Sequence, residues 1–88
     1  MTEFEIYTTA ICPYCVAAKN FLKNRGCDYR EIRIDREPGK LEEMQTRSAG
    51  RRSVPQIFVN GAHVGGYDDL VAAERSGRLQ ALIDASAP

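Results

Sequence analysis

Over residues 3–8 apolar and polar side chains alternate, with Phe4 and Ile6 on one face and Glu5 and Tyr7 on the other. A period of two is that of a strand. Over residues 13–25 the period lengthens: Cys15, Ala18 and Leu22 share a stripe with Phe21 beside it, which predicts a helix. Gly26 follows where helices commonly stop in a left-handed turn. Alternation returns over residues 29–34, predicting a second strand with Ile32 and Ile34 inward and Arg33 outward. Asp35 is placed to cap a second helix, with Pro38 tolerated in its first turn and Leu41 and Met44 as its apolar face. Residues 47–53 read as a polar, arginine-rich loop.

Two apolar runs then flank Asn60-Gly61: Gln56-Ile57-Phe58-Val59 before it and Ala62-His63-Val64 after. This is a strong hairpin signal, because a type I′ turn needs positive φ at both central residues. Gly65-Gly66 breaks the strand, and Asp68 and Asp69 open a third helix that runs through Arg75, carboxylates suiting its positive end. Gly77 ends that helix, and Leu79, Leu82 and Ile83 mark a final short one. The order is strand–helix–strand, helix, hairpin, helices. A right-handed crossover makes the first two strands parallel, and the hairpin adds two antiparallel ones. The expected architecture is α/β: a four-stranded mixed sheet with helices on both faces.

Composition narrows the function more than the fold. The chain has 88 residues, enough for one domain over residues 1–88, and 43% of them are hydrophobic, which argues against disorder. Twelve Lys and Arg balance twelve Asp and Glu, so the broad basic field expected of a nucleic-acid binder is missing. No apolar run exceeds four residues (15–18 and 70–73), which leaves no membrane span. The start, Met1-Thr2-Glu3-Phe4-Glu5, is acidic and lacks the apolar stretch of a signal peptide, so a cytoplasmic location is expected.

The three cysteines are the most informative residues. Cys12-Pro13-Tyr14-Cys15 is a close pair and Cys27 stands alone. In a reducing compartment such a pair is catalytic or metal-binding rather than structural, and its position between the first strand and first helix reads as a thioredoxin-like redox motif. Proline at the first helical position puts Cys12 at or beside the N-cap. Unpaired backbone N–H groups there stabilise a thiolate, lowering a thiol pKa of ~8.5 to about 3.5–7.5. Cys15, nearly one turn on, can reach Cys12 but should be more buried and less acidic. Cys12 therefore attacks and Cys15 resolves. A structural zinc site needs four ligands, usually as two knuckles. Only Cys27 and His63 remain to supply them, neither with a neighbouring partner, so no metal is expected.

Tyr7-Thr8 leading into Cys12-Pro13-Tyr14-Cys15, then Ser53-Val54-Pro55-Gln56-Ile57-Phe58-Val59, then Gly65-Gly66-Tyr67-Asp68-Asp69-Leu70, resembles the small dithiol glutaredoxins of bacteria along essentially the whole chain. The resemblance implies a thioredoxin fold and a glutathione-dependent disulfide oxidoreductase. It makes Cys12 the nucleophile, Cys15 the resolving thiol and glutathione the reducing co-substrate. Glutathionylated or disulfide-containing proteins would be its substrates, and the protein would act as a monomer. The glutathione-binding set it implies is Tyr14, Arg52, Ser53, Val54, Pro55, Gly66, Tyr67 and Asp68. Among these, Tyr14 matches the ring beside the glutathione sulfur, Val54 the residue whose backbone pairs with the cysteinyl unit, and Pro55 the cis-proline. Tyr67 and Asp68 match the positions that hold the γ-glutamyl end. Many relatives carry a lysine three residues before the first cysteine, where it meets the glycine carboxylate. Thr9 stands there in this chain, which shifts that task to Arg52, with Arg51 or Arg47 as weaker candidates.

Other residues have plainer expectations. Tyr7 reads as core or sheet-face packing, His63 as a solvated strand residue, Cys27 as a small, partly buried hydrophobe, and the charges of residues 30–37 as a solvated strand edge. Two rival functions are an iron–sulfur carrier, against which Pro13 counts, and a redoxin served by a flavoprotein reductase, against which the Gly-Gly-Tyr-Asp-Asp segment counts.

Overall fold

The computed structural model describes residues 2–85; Met1, where the signal-peptide reading begins, lies outside them. The elements run β1 (Phe4–Thr8), α1 (Pro13–Asn24), β2 (Tyr29–Arg33), α2 (Lys40–Arg47), β3 (Gln56–Val59), β4 (Ala62–Gly65), α3 (Tyr67–Ser76) and α4 (Arg78–Ala85). The sheet order is β2-β1-β3-β4. β1 and β2 are parallel with Phe4 opposite Tyr29, β1 and β3 antiparallel with Ile6 opposite Ile57, and β3 and β4 antiparallel. The expected α/β arrangement is present, and the first strand in the chain is a central one in the sheet.

Alternation along the strands makes two cores. Phe4, Ile6, Ile57, Val59 and Val64 pack with Ala18 and Leu22 of α1, Leu70 and Ala73 of α3, and Leu79 of α4. On the opposite face Tyr7, Ile32 and Phe58 pack with Met44 of α2. The turn residues behave as their chemistry requires: Gly26 (φ 79°) closes α1, Asn60 and Gly61 (φ 50° and 87°) make the hairpin, and Gly77 (φ 84°) closes α3. Cys27 is half-buried against the first core.

Three expectations need correction. Asp35 does not cap α2, because its carboxylate is held elsewhere, by Arg33 (2.8 Å to both Nε and Nη2) and by the Ala10 N–H (3.0 Å). The helix starts later instead, behind Gly39 at φ 79°. The second strand ends at Arg33, one residue early. His63 is half-buried rather than solvated, its ring 4.9 Å from that of Phe58 and its Nε2 2.7 Å from Gln56 Oε1.

The second core contains a charge. Glu5 is only 7% exposed on the central strand, yet carries a carboxylate. Its Oε1 accepts from Arg47 Nη2 at 2.8 Å, and its Oε2 accepts from Arg47 Nη1 (3.2 Å) and Arg30 Nη2 (2.8 Å). Arg47 also donates to the Tyr7 hydroxyl (2.7 Å) and lies 4.1 Å above the Phe58 ring, while Tyr7 donates to Glu43 (2.5 Å). The Arg47 guanidinium is thus committed to tying α2 to β1, and its hydrogen bonds hold the Glu5 pKa below the ordinary glutamate value of 4.5.

A depressed carboxylate pKa contributes stability that is complete above the unfolded-state value and is lost as pH falls through the folded one. Stability should therefore decline as pH drops below 4.5, in part through Glu5. Replacing Arg47 by methionine removes most of the compensation while Arg30 still reaches Glu5. It should cost about 3 kcal/mol, the low end for a broken buried pair. The acid limb should also become flatter. Urea unfolding of both proteins at pH about 7 and about 3.5 measures this, and equal acid sensitivity in both would show that Glu5 is not responsible.

Candidate active site

The cysteine pair sits where β1 hands over to α1. Cys12 is the N-cap, with extended backbone (φ −152°, ψ 98°), and Pro13 occupies the first turn. Cys12 Sγ accepts a hydrogen bond from the Cys15 backbone N–H at 3.1 Å, so one orphan donor of the helix already points at this sulfur. The two cysteines are joined as a disulfide, their Cα atoms 5.1 Å apart. Cys12 is half-buried whereas Cys15 is 1% exposed. The asymmetry expected of an attacking and a resolving thiol is therefore present in the packing.

A second segment comes from the stretch between α2 and β3. Ser48 is buried and donates from Oγ to the Arg51 carbonyl (3.2 Å), which folds the loop back on the helix end. The chain then passes Ser53 to a cis Val54–Pro55 peptide, and the Val54 carbonyl oxygen lies 3.8 Å from Cys12 Sγ. The third segment is the β4–α3 junction. Gly65 has φ 121°, and a Cβ built there would collide with the Asp69 carboxylate, so glycine is required both by conformation and by space. Asp69 Oδ2 in turn accepts from the Gly66 N–H (2.9 Å) and from Arg51 Nη1 (3.1 Å). The Gly66 bond, with Arg51 after it, holds the Asp69 pKa below the ordinary aspartate value.

Together these segments form an open groove of about 400 Å³ beside the disulfide. That volume lies within the range small-ligand sites occupy. Tyr14, Ser53, Val54, Pro55, Gly66, Tyr67 and Asp68 all line it, and the Tyr14 and Tyr67 rings face one another at 6.3 Å. Arg52 is exposed and is not among the lining residues; the guanidinium in the wall belongs to Arg51. Asp69 is a second lining residue read from sequence only as a helix cap. Asp69 was reachable in principle, since an acidic residue at the third helical position commonly bonds back to the N-cap N–H. Which of two adjacent arginines turns inward carries no periodic signal. Among the described residues no three His, Cys, Asp or Glu side chains gather as metal ligands, and no helix is long and apolar enough to cross a membrane.

Comparison with known proteins places this geometry. The sequence model of the family described as Glutaredoxin matches residues 4–64. A glutaredoxin of Pseudomonas aeruginosa is 51% identical over 85 residues, spanning 97% of this chain and 100% of that protein. The solution structure of glutaredoxin from Brucella melitensis gives a TM-score of 0.79 at 43% identity, covering 98% of this chain and 92% of that one. Buckwheat glutaredoxin, solved as a complex with glutathione, gives 0.81 at 26% identity, covering 96% of this chain and 78% of that one. A family match running from the first strand through the hairpin, with a relative half identical from end to end, fixes the ancestry: this chain belongs to the glutaredoxin family.

Proposed function

We propose that the protein is a glutathione-dependent thiol–disulfide oxidoreductase that reduces glutathione mixed disulfides and protein disulfides through Cys12 and Cys15. The observation that carries the reading is the cysteine pair at the α1 N-cap, half-buried Cys12 ahead of buried Cys15, beside a groove of about 400 Å³. The buckwheat relative, solved with glutathione, supports that ligand class.

The reaction follows from the placement of the two sulfurs. In the reduced protein the Cys12 thiolate attacks the glutathionyl sulfur of a mixed disulfide. The S–S bond breaks, the substrate thiolate leaves and takes a proton from solvent, and glutathione becomes bonded to Cys12. A second glutathione thiolate then attacks the glutathionyl sulfur, yielding glutathione disulfide and returning Cys12 as a thiolate; two electrons pass in all. With a protein disulfide, Cys12 forms a mixed disulfide with the protein. Cys15 resolves it by attacking the Cys12 sulfur, releasing the protein dithiol and closing the Cys12–Cys15 bond. Donors at the α1 N-terminus favour the thiolate at both the start and the end of the cycle.

In this reading the Ser53-Val54-Pro55 wall pairs with the ligand backbone, with the Tyr14 ring beside its sulfur. The start of α3, with Gly66, Tyr67 and Asp68, receives a carboxylate end, as helix N-termini favour. Arg51, lining the groove beside that helix start, is better placed than Arg52 to add a charge-assisted bond. In this reading the protein acts as a cytoplasmic monomer on glutathionylated or disulfide-bearing proteins, the reducing compartment being supported by its cysteine usage.

Two experiments test this. Cys12→Ser should abolish reduction of a glutathionylated peptide in an assay coupled to glutathione reductase. Cys15→Ser should retain that activity but lose reduction of intramolecular protein disulfides. An inactive Cys15→Ser in the first assay would refute the glutathione-released route. Separately, Arg51→Ala should raise KM for the glutathionylated peptide about three- to tenfold with little change in kcat, as lost ground-state binding requires, and the effect should shrink at high salt. Arg52→Ala should change KM by less than about twofold, in keeping with an exposed charge. The reverse order would return carboxylate recognition to Arg52.

A further inference from the structure

Gln56, the first residue of β3, is completely buried, and its amide is partnered at both ends. Its Nε2 donates to the Ser53 carbonyl oxygen at 3.1 Å and reaches Ser53 Oγ at 3.3 Å, and its Oε1 lies 2.7 Å from His63 Nε2. A carbonyl oxygen only accepts, so the amide nitrogen must face Ser53 and the amide oxygen must face His63. That leaves His63 one role: Nε2 carries the proton and donates. Burial first, and then the Arg51 charge, hold the His63 pKa below the ordinary histidine value of 6.5, so the ring is neutral near pH 7 with its single proton on that nitrogen. Its packing on Phe58, 4.9 Å between centroids and tilted by 33°, fixes the direction of the bond.

The bond matters because of where Ser53 lies. Pairing between β1 and β3 runs from Phe4–Val59 to Tyr7–Gln56 and stops there, so Ser53 lies outside the strand ladder. The wall of the groove is thus main chain held by a side chain. We propose that Gln56 and His63 are a positioning pair for this wall: His63 orients the Gln56 amide, and the amide fixes the Ser53–Val54 main chain against which the ligand backbone is read. This inference rests on the reading of the groove as a glutathione site.

The test compares wild type, Gln56→Met, His63→Phe, His63→Gln and the Gln56→Met/His63→Phe double variant. Phenylalanine keeps a ring on Phe58 without the donor, whereas glutamine restores a donor without the ring. Three quantities are read: KM and kcat for a glutathionylated peptide, the iodoacetamide alkylation rate of reduced Cys12, and the thermal melt. The expected result is a KM raised about three- to tenfold in Gln56→Met and His63→Phe, with kcat and alkylation within about twofold of wild type. His63→Gln should recover most of the lost KM, and the double variant should be no worse than Gln56→Met alone, because both residues act through one carbonyl. A merely structural role would lower the melting temperature and leave KM unchanged, which overturns the proposal. A parallel fall in kcat and alkylation rate also overturns it. Should Gln56→Met fail to fold, the His63→Phe and His63→Gln pair decides alone. Wild type that does not saturate with the glutathionylated peptide refutes the glutathione reading and this inference with it. Normal saturation by wild type with unchanged variants refutes this inference only.

Discussion

A carboxylate buried on the central strand constrains this small protein more than any other single group. Glu5 cannot remain charged at 7% exposure without compensation, and the compensation arrives from both sides. Arg30 comes from the neighbouring strand and Arg47 from the end of α2. An unpaired charge in that position would cost several kcal/mol, so the arginines must be delivered. Delivering Arg47 seats α2 on the sheet, presses its guanidinium onto Phe58, and brings Tyr7 and Glu43 into the same network. Residue 48 onward then starts from a fixed point, and the loop that leaves it carries Arg51, Ser53 and Val54 to the groove. Electrostatics in the second core thereby sets where the groove wall begins.

The groove is a meeting of two helix starts across a short piece of unpaired main chain. The α1 start is spent on a sulfur: the Cys15 N–H already points at Cys12 Sγ. The α3 start is partly spent on Asp69, whose carboxylate caps Gly66 and reaches Arg51. Two positive helix ends facing one cleft suit a ligand with a negative sulfur at one point and a carboxylate at another. Between them the exposed Tyr14 and half-buried Tyr67 rings supply apolar walls.

The polar side chains that sequence pattern misplaces or leaves unranked share one cause. Asp35 has the composition of a helix cap, yet Arg33 and the Ala10 N–H claim it first, and α2 starts four residues further on, after Gly39. His63 looks like a solvated strand residue because alternation assigns it a face but not a neighbour; Phe58 and Gln56 bury it. Arg52 and Arg51 are adjacent and chemically equal in sequence, and only the path of the loop turns Arg51 into the groove. In each case a polar side chain had several possible partners, and local pattern does not rank them, whether they stand two residues away, as Arg33 does from Asp35, or across the fold, as Ala10 does.

What the sequence by itself determined rests on short-range physics. Strand and helix periods, the positive-φ demands of Gly26, Asn60-Gly61 and Gly77, and a proline placing Cys12 at a helix start all act within a few residues, so they can be read without neighbours. The family motifs likewise named most of the groove lining. What only the tertiary structure decided is how polar side chains are spent: Arg47 on Glu5, Asp35 on the Ala10 N–H, Gln56 between Ser53 and His63. Those choices depend on distances across the sheet and on which groups lose water when the layers close. Burial makes an unpartnered polar group costly, and that cost exists only once the fold is assembled.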